Sequence, residues 1–442
     1  MVRIISGWSS KPAGRTMRPA GFAMLLAAAL LTGPAAHATA GTALAPTRVA
    51  SEAARPQWFA AGDDRAAMRL LTLLQTSDLD GINPETFKER SLRSAIRSAA
   101  SGDMKSRDRA SKLLDRALAS YVASLRLAKS PEWIVNDREA VPGAPSAAAI
   151  LAQAAAAPSL EEWLDTMPFM HPAYAELRSS LIDAKARGDE KAQQLLRLNL
   201  ERVRLLPAGG RFVLVNTAAQ RLFIYDGGKV VDTMRVVVGK STQQTPMMAA
   251  MIRFANLNPY WNVPSDLAAE RVAPNVVKEG LGYLRSMGYV VLSDWGANAV
   301  QIDPSTIDWN AVAAGRVQVR IRQNPGPSNA MGRMKFMFPN PQGIYLHDTP
   351  NKELLHEDAR LFSGGCVRVE DAPRLAKWLY GHPMKTRGAG TEQKVELDTP
   401  VPVYLAYLTA MPSDGQVVFY DDIYGRDHIR MAESGRTGLA SR

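Results

Sequence analysis

The sequence predicts an α+β protein made of two unlike halves, on three observations. Apolar residues recur with a helical period up to Pro207 and with a period of two after it. A helical stretch with a Pro/Gly-rich end interrupts the second half from about 265 to 326. In the first half, Leu114, Leu118, Tyr121 and Leu125 fall at i, i+4, i+7 and i+11. Leu196, Leu200 and Val203 repeat that spacing before Pro207 stops the run. These stripes read as core faces of helices between about 60 and 206, and 171–206 reads as one helical stretch. Residues 142–158, rich in Ala, Pro and Gly, read as a loop or weak helix. Asp78-x-Asp80-Gly81 opens like a calcium loop but lacks the third carboxylate and the terminal Glu, so a helix-to-helix turn is expected.

After Pro207-Ala208-Gly209-Gly210, β-rich segments follow at 212–215 and 221–225. Asp226-Gly227-Gly228 supplies a hairpin turn before Val230-Val231 and 234–238. Further strands are expected near 290–292, 317–321, 344–346, 401–408 and 417–420. Within the insertion, 266–279 is helical and Asn324-Pro325-Gly326-Pro327 forms an exit suited to a hinge. That length fits a lid or small subdomain. There is no internal repeat.

Apolar residues make up 46% of the chain and charged residues 22%, as in a soluble globular protein. Basic Arg3, Lys11, Arg15 and Arg18, an apolar run at 21–31 and the small-x-small site Ala36-His37-Ala38 read as a secretory signal over 1–38. An uncleaved anchor or a tail is the other reading. The expected location is outside the cytoplasm. Four of the positive charges behind the formal net +10 lie in this leader, leaving about +6, a modest excess that suits an anionic polymer. No Lys/Arg block or nucleic-acid motif is present, so DNA and RNA are discounted.

The single cysteine, Cys366, stands in Ser363-Gly364-Gly365-Cys366-Val367-Arg368, nineteen residues after His347. An unpaired thiol in an exported protein is a candidate reactive group. His347 closes a strand-like segment, and two glycines leave room for substrate beside the thiol. The pair therefore reads as nucleophile and base. The amides of Gly365 and Cys366 are candidate oxyanion donors. Asp348, or a backbone carbonyl, is the candidate to orient the imidazole. Arg368, two positions on, shares a strand face with Cys366 and can hold a carboxylate or a loop. Two blander readings remain open: an inert packed thiol, and a zinc site of His347, His356 and Cys366, for which the spacing is irregular. A papain-like order is excluded because Cys here follows His. His171, His356, His382 and His428 read as surface or packing residues. Asn258-Pro259-Tyr260-Trp261-Asn262-Val263-Pro264 is either a core corner or a substrate wall.

Tyr345-Leu346-His347-Asp348-Thr349-Pro350 together with 362–369 closely resembles the signature of bacterial L,D-transpeptidases, the YkuD domain. The nearest likeness is to the large periplasmic branch with a helical scaffold. Stretches 258–264, 322–327, 335–340 and 421–425 also match. The resemblance is strong over about 205–428 and weak in the helical half. It implies a signal peptide at 1–38, a helical scaffold at 39–206, a β-rich catalytic domain at 207–428 and a tail at 429–442. Residues 265–326 would be a substrate-capping subdomain. It further implies a periplasmic enzyme without cofactor or metal. Cys366 would attack the carbonyl before the terminal D-alanine of a tetrapeptide stem. The thioester would pass to a diamino-acid amine of a second stem, giving a 3→3 cross-link. His347 would serve as base and then acid, with Gly365 and Asp348 in support. Arg368, Ser363, Gly364, Tyr345, Trp261 and Tyr260 would line the donor site, and carbapenem-type β-lactams would acylate the thiol.

Two departures stand out. Many relatives have His where this chain has Gly364, and large relatives carry a peptidoglycan-binding module for which 171–206 leaves no room. The same residues would also serve an L,D-carboxypeptidase or an enzyme attaching protein to the wall. A non-catalytic wall-binding scaffold would have no need of the thiol.

Overall fold

The computed structural model describes residues 55–440 apart from 61–62, 101, 128–129, 297 and 386–390. The leader expected at 1–38 lies outside the described residues. The first half consists of helices α1 (Arg65–Gln75), α2 (Glu89–Ala100), α3 (Met104–Leu127), α4 (Ala147–Ala156), α5 (Leu160–Thr166), α6 (Ala173–Ala186) and α7 (Glu190–Val203). The apolar stripes on α3 and α7 are buried. Residues 142–158 contain α4, which Ser146 caps by accepting from the Ala149 amide at 3.1 Å. The expected single helix over 171–206 is instead a hairpin. Gly188, at φ +69°, turns α6 into α7, and Asp189 caps α7 through the Ala192 amide. Asp80 is a structural node: fully buried, it accepts from Arg178 at 3.1 Å and from the Tyr121 and Tyr174 hydroxyls at 2.8 and 2.9 Å.

The strands are β1 (Ile134–Val135), β2 (Phe212–Asn216), β3 (Arg221–Asp226), β4 (Lys229–Gly239), β5 (Met248–Leu257), β6 (Trp261–Val263), β7 (Tyr289–Leu292), β8 (Gln301–Ile302), β9 (Arg320–Gln323), β10 (Met334–Met337), β11 (Leu346–His347), β12 (Leu361–Ser363), β13 (Val367–Val369), β14 (Gln393–Ala406), β15 (Ala410–Ser413) and β16 (Gln416–Phe419). The order β5-β10-β11-β13-β4-β3-β2-β14 closes on itself, because β14 also pairs with β5. The result is a barrel whose parallel β11–β13 pair carries the candidate nucleophile and base. Closure removes the free edges an open sheet would leave. β5, the strand that closes it, has no counterpart in the sequence reading. Its Ala- and Met-rich composition lacks β-branched periodicity, and burial and pairing on both edges decide its conformation.

The helical half is continuous with the barrel. β1 pairs in parallel with β5, Ile134 opposite Met248. One apolar core runs from Leu70, Leu118 and Tyr174 through Phe212 and Ile224 to Tyr404. His171 lies in this seam, buried against Phe212 and Tyr225. Burial, with Arg126 nearby, pushes its imidazole pKa down to about 3. The stretch read as a tail from 429 is helical as far as 440, in the helix Arg426–Ala440.

Residues from Trp261 onward leave the barrel and build a second sheet, β6-β9-β7-β8, with its own core of Trp261, Val272, Trp309, Ile321 and Met331. This unit starts four residues before the insertion boundary read from sequence, and its core extends past 326. Its exit is pinned by buried amides. Asn329 donates to the carbonyls of Pro259 and Asn324 at 2.9 and 3.0 Å, and Gln323 donates to those of Met287 and Ser328 at 2.9 Å. The hinge expected at Asn324-Pro325-Gly326-Pro327 is thus flanked by fixed points.

Candidate functional site

Cys366 immediately precedes β13, and Tyr345 immediately precedes β11. The parallel register pairs Leu346 with Val367 and His347 with Arg368, and the Val367 amide donates to the Tyr345 carbonyl at 3.1 Å. Paired strand residues share a face and alternate residues return to it. Tyr345, His347, Cys366 and Arg368 therefore project from one face, and Lys335, opposite His347 on β10, joins them. The two halves of the sequence motif meet through strand pairing across the intervening loop.

The turn before the thiol is held by side chains. Gly365 has φ +113°, in the region that favours glycine, and a Cβ there would approach Ile344 at 3.1 Å. Ser363 Oγ accepts from the Gly365 amide at 3.1 Å and donates to the Cys366 carbonyl at 2.5 Å. The Gly365 amide, one of the two candidate oxyanion donors, thus donates to Ser363. The Cys366 amide has no hydrogen-bond partner among the described residues. Gly364 faces Gln243, whose Oε1 would lie 3.3 Å from a Cβ. Gln243 in turn donates to Asp266 at 3.2 Å.

Two supporting residues were not among the candidate site residues read from the sequence. Thr245 Oγ1 donates to the Gly365 carbonyl at 2.8 Å and accepts from the Gly239 amide at 2.9 Å. The Tyr424 hydroxyl donates to the Gly239 carbonyl at 2.7 Å. Thr245→Val keeps the shape but leaves the Gly365 carbonyl and Gly239 amide unsatisfied, at a cost of about 1–3 kcal/mol. Acylation of Cys366 is expected to slow about tenfold, as measured by stopped-flow acylation beside a melting curve. An unchanged rate would mean that the turn holds without this hydroxyl.

The imidazole is buried, and its Nδ1 lies 2.5 Å from the Asp348 carbonyl oxygen. A carbonyl only accepts, so Nδ1 carries the proton and Nε2 keeps its lone pair. Of the two orienting groups considered, the backbone carbonyl is the one used. The Asp348 carboxylate turns away, accepting from the Arg333 amide at 2.9 Å and from Lys352 at 2.7 Å. Burial, with Arg368, Lys335 and Lys352 nearby, pushes the His347 pKa down to about 3, so the ring is neutral at neutral pH. Burial pushes the Cys366 thiol up. The Tyr345 hydroxyl, Lys335 and Arg368 oppose that shift by favouring the thiolate. The resting imidazole is thus uncharged beside the thiol. The thiol donates to the Gly343 carbonyl, with sulfur 3.6 Å from oxygen.

Tyr345 packs against both the barrel core and the second core. Lys335 Nζ lies 4.0 Å from the centre of its ring, and the Trp261 indole also reaches its hydroxyl. Trp261 thus sits at a corner of the second core, against Tyr345. Tyr260 is turned to Arg322, which stacks 4.4 Å from its ring, and its amide donates to Glu392 at 3.1 Å. Among the described residues no cluster of three metal-ligating side chains occurs. His356 lies 3.2 Å from Arg235, away from Cys366. A cavity of about 1100 Å³ opens at the far end of β11 and β13, lined by Asp348, Thr349, Lys352, Glu370 and Pro327. Arg368, Lys335, Tyr345, His347 and Cys366 together offer a nucleophile, a neutral proton acceptor and fixed positive charge on one surface, the elements of acyl transfer.

Residues 210–403 match the family model described as the L,D-transpeptidase catalytic domain, YkuD, and residues 50–181 match one described as a scaffold domain. A Haemophilus influenzae protein described as a candidate L,D-transpeptidase is 35% identical over 248 residues, covering 54% of this chain and 50% of its own. The chain thus spans about half the length of that curated relative. Among solved structures, the Ldtfm–avibactam carbamoyl enzyme is 14% identical, with a TM-score of 0.23, covering 45% of this chain and 50% of that one.

Proposed function

We propose, from the premise that this chain carries a YkuD-family L,D-transpeptidase catalytic domain behind a scaffold domain, that it joins peptidoglycan stems through a thioester on Cys366. The observation that carries the reading is the shared face of Cys366, His347, Tyr345, Lys335 and Arg368. The Cys366 sulfur attacks the carbonyl before the terminal D-alanine of a tetrapeptide stem while His347 Nε2 takes the thiol proton. In this reading the Cys366 amide and the Tyr345 hydroxyl hold the oxyanion. The C–N bond to D-alanine breaks, and the imidazolium returns its proton to the leaving amine. The side-chain amine of a diamino acid on a second stem then attacks the thioester, yields a 3→3 cross-link and restores the thiol. The cavity beside Asp348 and Thr349 suits this second stem. Water in place of the amine would give a carboxypeptidase, and a protein amine would give wall attachment.

The unit built on β6–β9 lies against Tyr345 and is proposed to cap the donor stem, excluding water from the thioester. Among the described residues no helix is long and apolar enough to cross a membrane, and the periplasm is the proposed site of action. The test is incubation with a purified disaccharide tetrapeptide, read by chromatography for free D-alanine and dimer and by intact mass for the acyl-enzyme. Release of D-alanine with a 3→3 dimer is expected. Absence of both would overturn the reading.

A further inference from the structure

The scaffold carries a charge pattern that the acyl-transfer site does not use. Residues 88–116 hold nine basic and four acidic side chains, a net of +5, which is most of the excess outside the leader. This stretch is the pair of helices α2 and α3. Leu92, Ile96 and Ala99 of α2 are buried, as are Ala110, Leu114, Leu118 and Tyr121 of α3. The side of α3 away from that buried stripe holds Lys105, Arg109, Lys112 and Arg116 at i, i+4, i+7 and i+11, and that of α2 holds Arg90 and Arg97, all exposed. The carboxylates do not neutralise these faces. Glu89 accepts from Arg93 at 2.7 Å, and Asp108 pairs with Lys112 at 2.5 Å. Asp103 accepts from the Ser106 amide at 2.7 Å, and buried Asp115 from the Trp58 indole at 2.8 Å. Among the described residues, Arg90, Arg97, Lys105, Arg109 and Arg116 make no ion pair. The stripe also works against its own helix. Lys105 stands in a first turn that has no acidic residue, where the macrodipole favours anions. Lys105 with Arg109, and Lys112 with Arg116, set like charges at i, i+4, which destabilises a helix. Folding stability therefore does not explain the pattern, whereas an anionic surface outside the chain does.

We propose that the outer faces of α2 and α3 dock on anionic phospholipid headgroups and hold the folded chain at a membrane surface. The proposal is independent of the acyl-transfer reading. Two observations favour a bilayer over a dissolved polyanion. Met104, before Lys105 at the start of α3, is 86% exposed, an apolar tip among the cations that a bilayer interface takes in. The described chain also enters the scaffold along α3. Arg55 lies 4.0 Å from Asp108, and Trp58 is buried on Asp115. The apolar run at 21–31, read above as a leader or an anchor, ends 24 residues before Arg55. The chain thus arrives from its membrane-directed segment at the helix that carries the stripe. The attraction acts within about a Debye length, about 8 Å at physiological salt, so binding is peripheral and reversible.

The test is co-sedimentation of the full-length protein with vesicles of equal parts phosphatidylglycerol and phosphatidylcholine, against phosphatidylcholine alone. Insertion of the apolar run would be common to both vesicles, so the difference between them reads the basic faces. Wild type is expected to prefer the anionic vesicles, and the preference should shrink as salt is raised. The triple variant Lys105→Gln, Arg109→Gln and Arg116→Gln should bind them about 10- to 100-fold more weakly. Its melting temperature should not fall, because like charges have been removed. A second triple, Lys191→Gln, Lys229→Gln and Lys377→Gln, loses the same charge at exposed positions elsewhere and should bind like wild type. Equal binding of wild type to both vesicles would overturn the proposal, as would equal weakening by the two triples. Retention on polyglutamate without binding to the vesicles would also overturn it and assign the stripe to an acidic polypeptide.

Discussion

Cys366→Ala is expected to leave a folded protein that forms no acyl-enzyme and turns over at least roughly 10⁴-fold more slowly than wild type, since the covalent route is gone. The fold should survive because the thiol is not what holds its own turn. Ser363 Oγ bridges the Gly365 amide and the Cys366 carbonyl, and Thr245 anchors the Gly365 carbonyl. Removing the thiol loses the weak contact to the Gly343 carbonyl and the contacts to Tyr345. Intact mass after a carbapenem should show one adduct on wild type and none on the variant. Activity within tenfold of wild type on tetrapeptide stems would sink the thioester mechanism. The pH profile provides a second check on the same chemistry. His347 is already neutral above about pH 3, whereas the thiol titrates above its ordinary range. Acylation should therefore rise through the alkaline side, with no inflection near the unperturbed histidine value of about 6.5.

Much of the site was legible because its signals are local. A lone cysteine after two glycines and a histidine at a strand end stand within one short stretch. The two-residue spacing to Arg368 fixes its face by parity alone. Parity also distinguishes His347 from Asp348: neighbours on a strand point oppositely, so the carboxylate turns outward and only its carbonyl serves the ring. The place of Lys335, Thr245 and Tyr424 at the site was not legible, although 335–340 and 421–425 carry the family likeness. Each reaches the site from a segment remote in sequence, and only the register of β10 on β11 or the docking of 424 on Gly239 brings it there. The Gly365 amide looked free because nothing in the sequence says that Ser363 turns inward to accept from it. The helical half was legible as helices but not as part of the barrel. The pairing of β1 with β5 involves two residues, and a dipeptide carries no period.

Arg202→Met is expected to cost about 3–5 kcal/mol in stability, the price of stranding buried carboxylates. Arg202 on α7 is fully buried. It meets Glu132 at 2.9 Å and Asp427, itself buried, at 2.5 Å. Asp427 also accepts from Thr409 Oγ1 at 2.5 Å, and Asn199 donates to that hydroxyl at 3.0 Å. The guanidinium packs 5.3 Å from the centre of the Tyr407 ring. The Tyr407 hydroxyl accepts from the Tyr424 amide at 2.9 Å, and Tyr424 is the residue that braces Gly239 behind the nucleophile turn. Scaffold helix, barrel end and C-terminal helix thus meet at one charge. Denaturant titration should show the loss. Adding Glu132→Gln and Asp427→Asn to Arg202→Met should recover most of it, because the stranded charges then disappear. Failure of the triple variant to recover would mean that packing around Arg202, rather than its charge, joins the halves. If Arg202→Met costs less than about 1 kcal/mol, the halves are held by the shared apolar core alone, and the barrel should then tolerate loss of the scaffold.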